Sequence, residues 1–156
     1  QCDVVILCVT GSPQVEQCLL GDDGLLAHAR SGMVIIDTST SEAESTQRLG
    51  ALCLSHGMTL VDAPLARTPV EAELGKLNTM VGATPEVFAK IKPVLDAYCE
   101  NIFHVGGPGA GHTIKLLNNF IAQAIATATA EAFAVGAKAG IDVQQLVNVV
   151  SAGGVN

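Results

Sequence analysis

The chain has no tryptophan, one tyrosine and four phenylalanines among its 156 residues. A core buried from this 49% hydrophobic sequence must therefore be built from Ala, Val, Leu and Ile, the palette of helices packed closely on a sheet. Basic charge is also scarce: eight Lys and Arg against fifteen Asp and Glu give a net charge of −7. The few cations form no run, which excludes nucleic acid as the expected partner. The five cysteines are odd in number and lack a C-x-x-C spacing, and the four histidines are dispersed. No metal site and no disulfide framework are expected, and reduced, buried thiols in a cytoplasmic protein are the simplest reading. Long apolar runs are missing too. The stretch from Phe120 to Ala130 stops at Glu131, and Asp3 precedes the first apolar run, so neither a membrane span nor a signal peptide is expected.

What is present is an alternation. Continuous apolar runs at Val4 to Val9 and Met33 to Ile36 end in Thr10-Gly11-Ser12-Pro13 and Asp37-Thr38-Ser39-Thr40. Shorter runs at Met58 to Val61, Leu77 to Val81 and Ile102 to Val105 end in Asp62-Ala63-Pro64, Gly82 and Gly106-Gly107-Pro108. Amphipathic segments near 13–20, 41–56 and 84–100 lie between them. Strand alternating with helix is the pattern of a doubly wound α/β sheet. After Pro108 it gives way to one long small-residue helix over 110–139, ended by Gly140, and to a second helix capped by Asp142. The expected organisation is a Rossmann-like part over 1–108 and the beginning of an all-α part over 109–156. Because a buried strand follows Gln1-Cys2-Asp3 directly and the helical part stops soon after it begins, the expectation is an internal piece of a longer protein.

The glycine run Gly106-Gly107-Pro108-Gly109-Ala110-Gly111 does not supply a dinucleotide fingerprint. Started at Gly107, the third glycine of G-x-G-x-x-G falls on His112. The run reads as a bend that lets sheet and helix approach, and the main phosphate loop of any bound nucleotide lies outside this sequence. Ser41 with Glu44 fits a capping box, although spare hydroxyls at a strand's carboxyl end also sit where α/β proteins place ligands. Two prolines brace Asp62-Ala63-Pro64-Leu65-Ala66-Arg67-Thr68-Pro69 and present Arg67, either to an anion or to a surface ion pair. His112 lies one helical turn before Lys115, where a histidine can tune the lysine, but it reads first as a helix-terminal surface residue. Lys115 is the only charged side chain between His112 and Glu131. Spacings of three and four place it on one helical stripe with Asn118, Asn119 and Ala122. Desolvation lowers a lysine's pKa, and amides beside it can hold a substrate oxygen, so a proton donor and a snorkelling lysine fit the helix equally.

Together, D-A-P at 62–64, G-x-L at 75–77, M-V-G-A at 80–83 and G-x-G-H-x-x-K-L-x-N-N at 109–119 resemble the β-hydroxyacid dehydrogenase family, which includes 3-hydroxyisobutyrate dehydrogenase and tartronate semialdehyde reductase. The resemblance covers essentially the whole chain. It implies an NAD(P)-dependent oxidoreductase that interconverts a small anionic hydroxy acid and its aldehyde, with Lys115 as catalytic acid/base and Asn119 holding substrate. It also implies a site for NAD or NADP lined by Val9, Thr10 and Thr40, with Thr10 standing where the family has proline. Where the family carries D-A-P-V-S-G-G, this chain has Ala66, Arg67 and Thr68 in the last three positions. That loop resembles the sulfolactaldehyde reductase branch, in which the arginine binds a sulfonate, and implies Arg67, Thr68, Asn118, Asn119 and Ala122 at the substrate. The related 6-phosphogluconate dehydrogenases have K-x-x-H-N, and Asn118 in the histidine position points away from that substrate. A homo-oligomer is expected, since the alanine-rich helix has too few following residues to cover it. The competing expectation is a non-catalytic, truncated Rossmann-like module serving assembly.

Overall fold

A computed structural model describes residues 2–28 and 30–153. The three apolar runs at the front become parallel strands Val4–Leu7 (β1), Val34–Asp37 (β2) and Thr59–Asp62 (β3). Val4 lies opposite Val34, and Val34 opposite Thr59. Helices Ser12–Leu20 (α1), Leu25–His28 (α2) and Ala43–Ser55 (α3) make the crossovers that parallel pairing requires. Side-chain alternation divides β2 between two cores. Met33 and Ile35 join Val15, Leu19, Leu49 and Cys53 on one face. Val34 and Ile36 join Val61, Val81, Ile91 and Leu95 on the other. A sheet covered on both faces explains why these strands read as unbroken apolar runs.

Beyond Asp62 the sheet departs from a purely parallel winding. Leu65–Ala66 (β4) and Leu77–Gly82 (β5) pair antiparallel, with Leu65 opposite Thr79, and Asp62 at the end of β3 faces Gly82. Only the short helix Pro69–Glu73 (α4) separates β4 from β5, so the chain turns back on itself. Helix Pro85–Leu95 (α5) then returns it to Cys99–Gly106 (β6), parallel to β5. The Rossmann-type α/β class read from the sequence holds, with its last two strands reversed. Helix α5 stops well before residue 100, with Pro93 in its final turn removing a backbone donor.

The chain forms two compact units, Gln1–Leu117 and Asn118–Asn156. The first holds the sheet and the opening turns of Ala110–Lys138 (α6). The second holds the rest of α6 and Val143–Ala152 (α7). Within it, Gly140 adopts a positive φ of 78° to end α6, and Asp142 caps α7 by accepting the Gln144 N–H at 2.7 Å, as the sequence predicted. At Gly136, a Cβ would stand 2.8 Å from Leu146 Cδ2, so α6 and α7 meet there through the flexible end of a leucine. Helix α6 corrects one expectation. At 29 residues it is long and apolar enough, by length and composition, to cross a bilayer. A single Glu131 does not interrupt such a helix, so the expectation of no membrane partner no longer follows from run length. A long helix of this composition serves equally well in a protein that never meets a membrane.

Candidate active site

The carboxyl ends of β1 and β2 are bound to each other by hydroxyls. Thr38 Oγ1 donates to the Leu7 carbonyl at 2.7 Å, and the Val9 N–H donates to Ser39 Oγ at 3.0 Å. Beneath them Asp37 is buried, its carboxylate accepting the Ser39 N–H at 2.9 Å and the Ser41 hydroxyl at 3.0 Å. This use of Ser41 overturns the capping box expected with Glu44. Helix α3 begins after Glu42 with no side-chain cap, because the buried carboxylate takes the serine hydroxyl first. Thr10 is exposed and Thr40 half-buried. Neither hydroxyl makes a hydrogen bond among the described residues, so both stand available at the strand ends. The two loops lie side by side, since a Cβ on Gly11 would just meet the Thr40 carbonyl at an ordinary contact distance of 3.4 Å.

The next strand end organises the start of α6. Asp62 is fully buried, and its carboxylate accepts the Gly109 N–H at 2.8 Å and the His112 N–H at 3.0 Å. Two backbone donors that a helix start leaves without partners are thus satisfied by an anion at the positive end of the helix. Glycines leave room for it. A Cβ on Gly82 would come within 2.4 Å of Asp62 Oδ1, and one on Gly111 within 2.8 Å of Oδ2 and 2.3 Å of the Met80 carbonyl. The glycine run therefore provides close approach, as the sequence suggested, and its partner is a carboxylate within the chain. Sequence reasoning missed this role of Asp62. The available signal was an acid ending a strand, with Gly82, Gly109 and Gly111 as the small residues around it.

His112 corrects another expectation. It is not a surface residue: it is 0% exposed. Its Nδ1 lies 2.7 Å from Thr46 Oγ1 on α3 and its Nε2 lies 3.2 Å from the Ser39 carbonyl. A carbonyl only accepts, so Nε2 carries a proton in that bond. Asp37 Oδ2 is 3.8 Å from the same nitrogen.

One helical turn further, Lys115 is half-buried, and desolvation lowers its pKa from the ordinary lysine value. Helix α6 runs unbroken through 115, 118, 119 and 122, so the spacing read from the sequence stands. In the second unit Asn119 is half-buried, while Asn118 and Ala122 are exposed.

Arg67 and Thr68 are engaged differently from the sequence expectation. Arg67 Nη1 donates to the Lys76 carbonyl at 2.7 Å and forms an ion pair with Glu100 on β6. The ion pair weighed as the alternative is the one formed, and the guanidinium is not an uncommitted fork. Arg67 also has a φ of 83° and is the only non-glycine with positive φ among the described residues, at a position where the resembling family carries glycine. Thr68 caps α4, accepting the Val70 N–H at 3.3 Å, while Glu71 accepts the Thr68 N–H at 2.9 Å. Hydrogen bonds from Thr68 hold the Glu71 carboxyl below its usual range. Among the described residues no cluster of His, Cys, Asp or Glu could hold a metal ion.

Residues 1–106 match the family described as the NAD binding domain of 6-phosphogluconate dehydrogenase. The chain belongs to this family. Residues 109–156 match the family described as NAD-binding of NADP-dependent 3-hydroxyisobutyrate dehydrogenase, and NAD or NADP is the cofactor class that both descriptions carry. The 3-hydroxyisobutyrate dehydrogenase of Pseudomonas aeruginosa is 39% identical over 97% of this chain and 52% of its own length. The NAD-dependent L-serine dehydrogenase of the same organism is 36% identical over the same shares. Mycobacterium tuberculosis 3-hydroxyisobutyrate dehydrogenase, solved with L-serine, superposes with a TM-score of 0.87 at 33% identity, covering 100% of this chain and 53% of that one. The chain thus spans about half the length of the curated relatives it matches.

Proposed function

We propose that this chain is the catalytic heart of an NAD(P)-dependent dehydrogenase that interconverts a small anionic β-hydroxy acid and its aldehyde. The observation that carries the proposal is Lys115: one ammonium, half-buried and with depressed proton affinity, a turn beyond a helix start locked to the sheet. A lowered pKa on a helix whose first turn is bound to the end of β3 suits a group that must both give and take a proton. When the hydroxy acid is oxidised, Lys115 takes the hydroxyl proton as the C–H hydride leaves. In the reverse direction it protonates the carbonyl oxygen. The dinucleotide, when bound, accepts or supplies the hydride. Val9, Thr10 and Thr40 fit its nicotinamide end, being a backbone strand end and two available hydroxyls beside a glycine. Asn119 and Asn118 hold the reacting oxygen, with Ala122 as the small residue completing their stripe.

The relatives are named for 3-hydroxyisobutyrate and L-serine, both short-chain acids with a hydroxyl at the β position, which supports that substrate class here. Asn118 supports it against 6-phosphogluconate. A sulfonate-binding role for Arg67 and Thr68 has less support, because the pairing with Glu100 and the α4 cap occupy them. Exposed Phe120, Ile121 and Ile125 on α6 and Val149 on α7 support a homo-oligomer in which a second copy covers them. Five free cysteines support a cytoplasmic location.

The full-length protein, mixed with NAD or NADP and either 3-hydroxyisobutyrate, L-serine or 6-phosphogluconate, tests the proposal by formation of reduced nicotinamide. Turnover of the β-hydroxy acids and none of 6-phosphogluconate is expected. Dinucleotide binding without oxidation of any β-hydroxy acid would overturn it.

A further inference from the structure

His112 is buried, polar and untouched by the chemistry just described, yet it is gripped from both sides by elements other than its own. Its amide is held by Asp62 at the end of β3, its Nδ1 by Thr46 on α3, and its Nε2 by the Ser39 carbonyl in the loop after β2. One residue thus ties the first turn of α6 to three other parts of the sheet layer. Ser39 also accepts the Val9 N–H on its hydroxyl oxygen, so a run of hydrogen bonds leads from the end of β1 through Ser39 to His112. It ends one helical turn before Lys115.

We propose that His112 is a positioning residue for the reaction: it fixes the height and rotation of the first turns of α6 against the strand ends carrying Val9, Thr10 and Thr40, and so places Lys115. The proposal rests on Lys115 being the acid/base. A histidine suits the task because its two nitrogens diverge across a rigid ring and reach partners on both sides at once. An apolar residue there leaves the Ser39 carbonyl without its buried partner and frees the Thr46 hydroxyl to turn to the Glu42 carbonyl, 3.1 Å away. Asparagine can imitate only the Nδ1 contact and glutamine only the Nε2 contact. Placement matters because a proton donor displaced by about 1 Å loses on the order of a hundredfold in rate, and residues supporting a catalytic group commonly contribute about 10- to 100-fold.

The test compares His112→Ala, His112→Gln, Thr46→Val and Lys115→Ala in the full-length protein, measuring kcat, the KM of each substrate, and Tm. His112→Ala should lower kcat by about 10- to 100-fold with the dinucleotide KM almost unchanged. His112→Gln, which keeps a donor toward the Ser39 carbonyl, should recover part of that loss. Thr46→Val keeps the shape of α3 and should lower kcat a few-fold with little change in Tm, so it decides the matter if His112→Ala does not fold. Parental kcat per folded molecule in Thr46→Val and His112→Gln would overturn the proposal, whatever their Tm, while leaving the Lys115 reading intact if Lys115→Ala is inactive. Near-parental turnover in Lys115→Ala would overturn both.

Discussion

The His112 amide donates to Asp62 Oδ2 at 3.0 Å, so a strand-end carboxylate anchors the helix that carries the candidate acid/base. Asp62→Ala removes the acceptor for two buried amides and the anion at the helix start. It should cost about 1–3 kcal/mol, read as a shift in the urea midpoint. Asp62→Asn should cost less, because one carbonyl acceptor survives.

The glycines around that carboxylate make a graded prediction. Gly82→Ala and Gly111→Ala drive a methyl into Asp62 and should each destabilise by about 1–3 kcal/mol. At Gly107 a Cβ meets nothing within 4 Å, so Gly107→Ala should change stability by less than about 1 kcal/mol. Equal effects at all three positions in a denaturant series would remove the close-packing account.

Arg67 holds its φ of 83° at a cost that glycine would not bear, roughly 1–2 kcal/mol for an L-residue. Arg67→Ala keeps the strain and loses the Glu100 pair, whereas Arg67→Gly loses the pair and relieves the strain. The glycine variant should therefore be the more stable of the two by about 1 kcal/mol. If the arginine is structural, turnover of neutral and anionic aldehydes should fall equally in Arg67→Ala. A selective rise in KM for the anionic substrate would restore its anion-binding role.

Burial lowers the pKa of Lys115 from the ordinary lysine value. Between the depressed folded value and the ordinary one, the unfolded chain binds more protons than the folded chain, so stability from this group rises with pH across that window. The penalty is full below the folded value and gone above the ordinary range. Lys115→Met should accordingly be more stable than the parent near neutral pH, with the gap closing toward about pH 10. Urea midpoints at both ends measure it, and a variant less stable at neutral pH would contradict the desolvation.

The strands β1, β2 and β3 and the Asp142 cap were legible because each is written locally: an apolar run ended by polar residues, or an acid before a helix. The reversal of β5 was not, since an apolar run carries no direction and the partner of Leu65 is decided by how the 62–69 loop folds back. His112 was misread for a related reason. Its neighbours Gly111 and Thr113 are as compatible with solvent as with a core, and only α3 and the loop after β2, distant in sequence, bury it. Ser41 was assigned to its nearest helix because a capping pattern is local, whereas its actual partner is the buried Asp37. Lys115 stood out in the sequence because isolation of a charge among apolar residues is itself a local signal.

The proposed reaction turns on Lys115 exchanging the substrate's proton. Turnover of a β-hydroxy acid by the full-length protein carrying Lys115→Ala tests it most directly. kcat should fall by about two to four orders of magnitude with dinucleotide binding nearly unchanged. Near-parental kcat in that variant would contradict it.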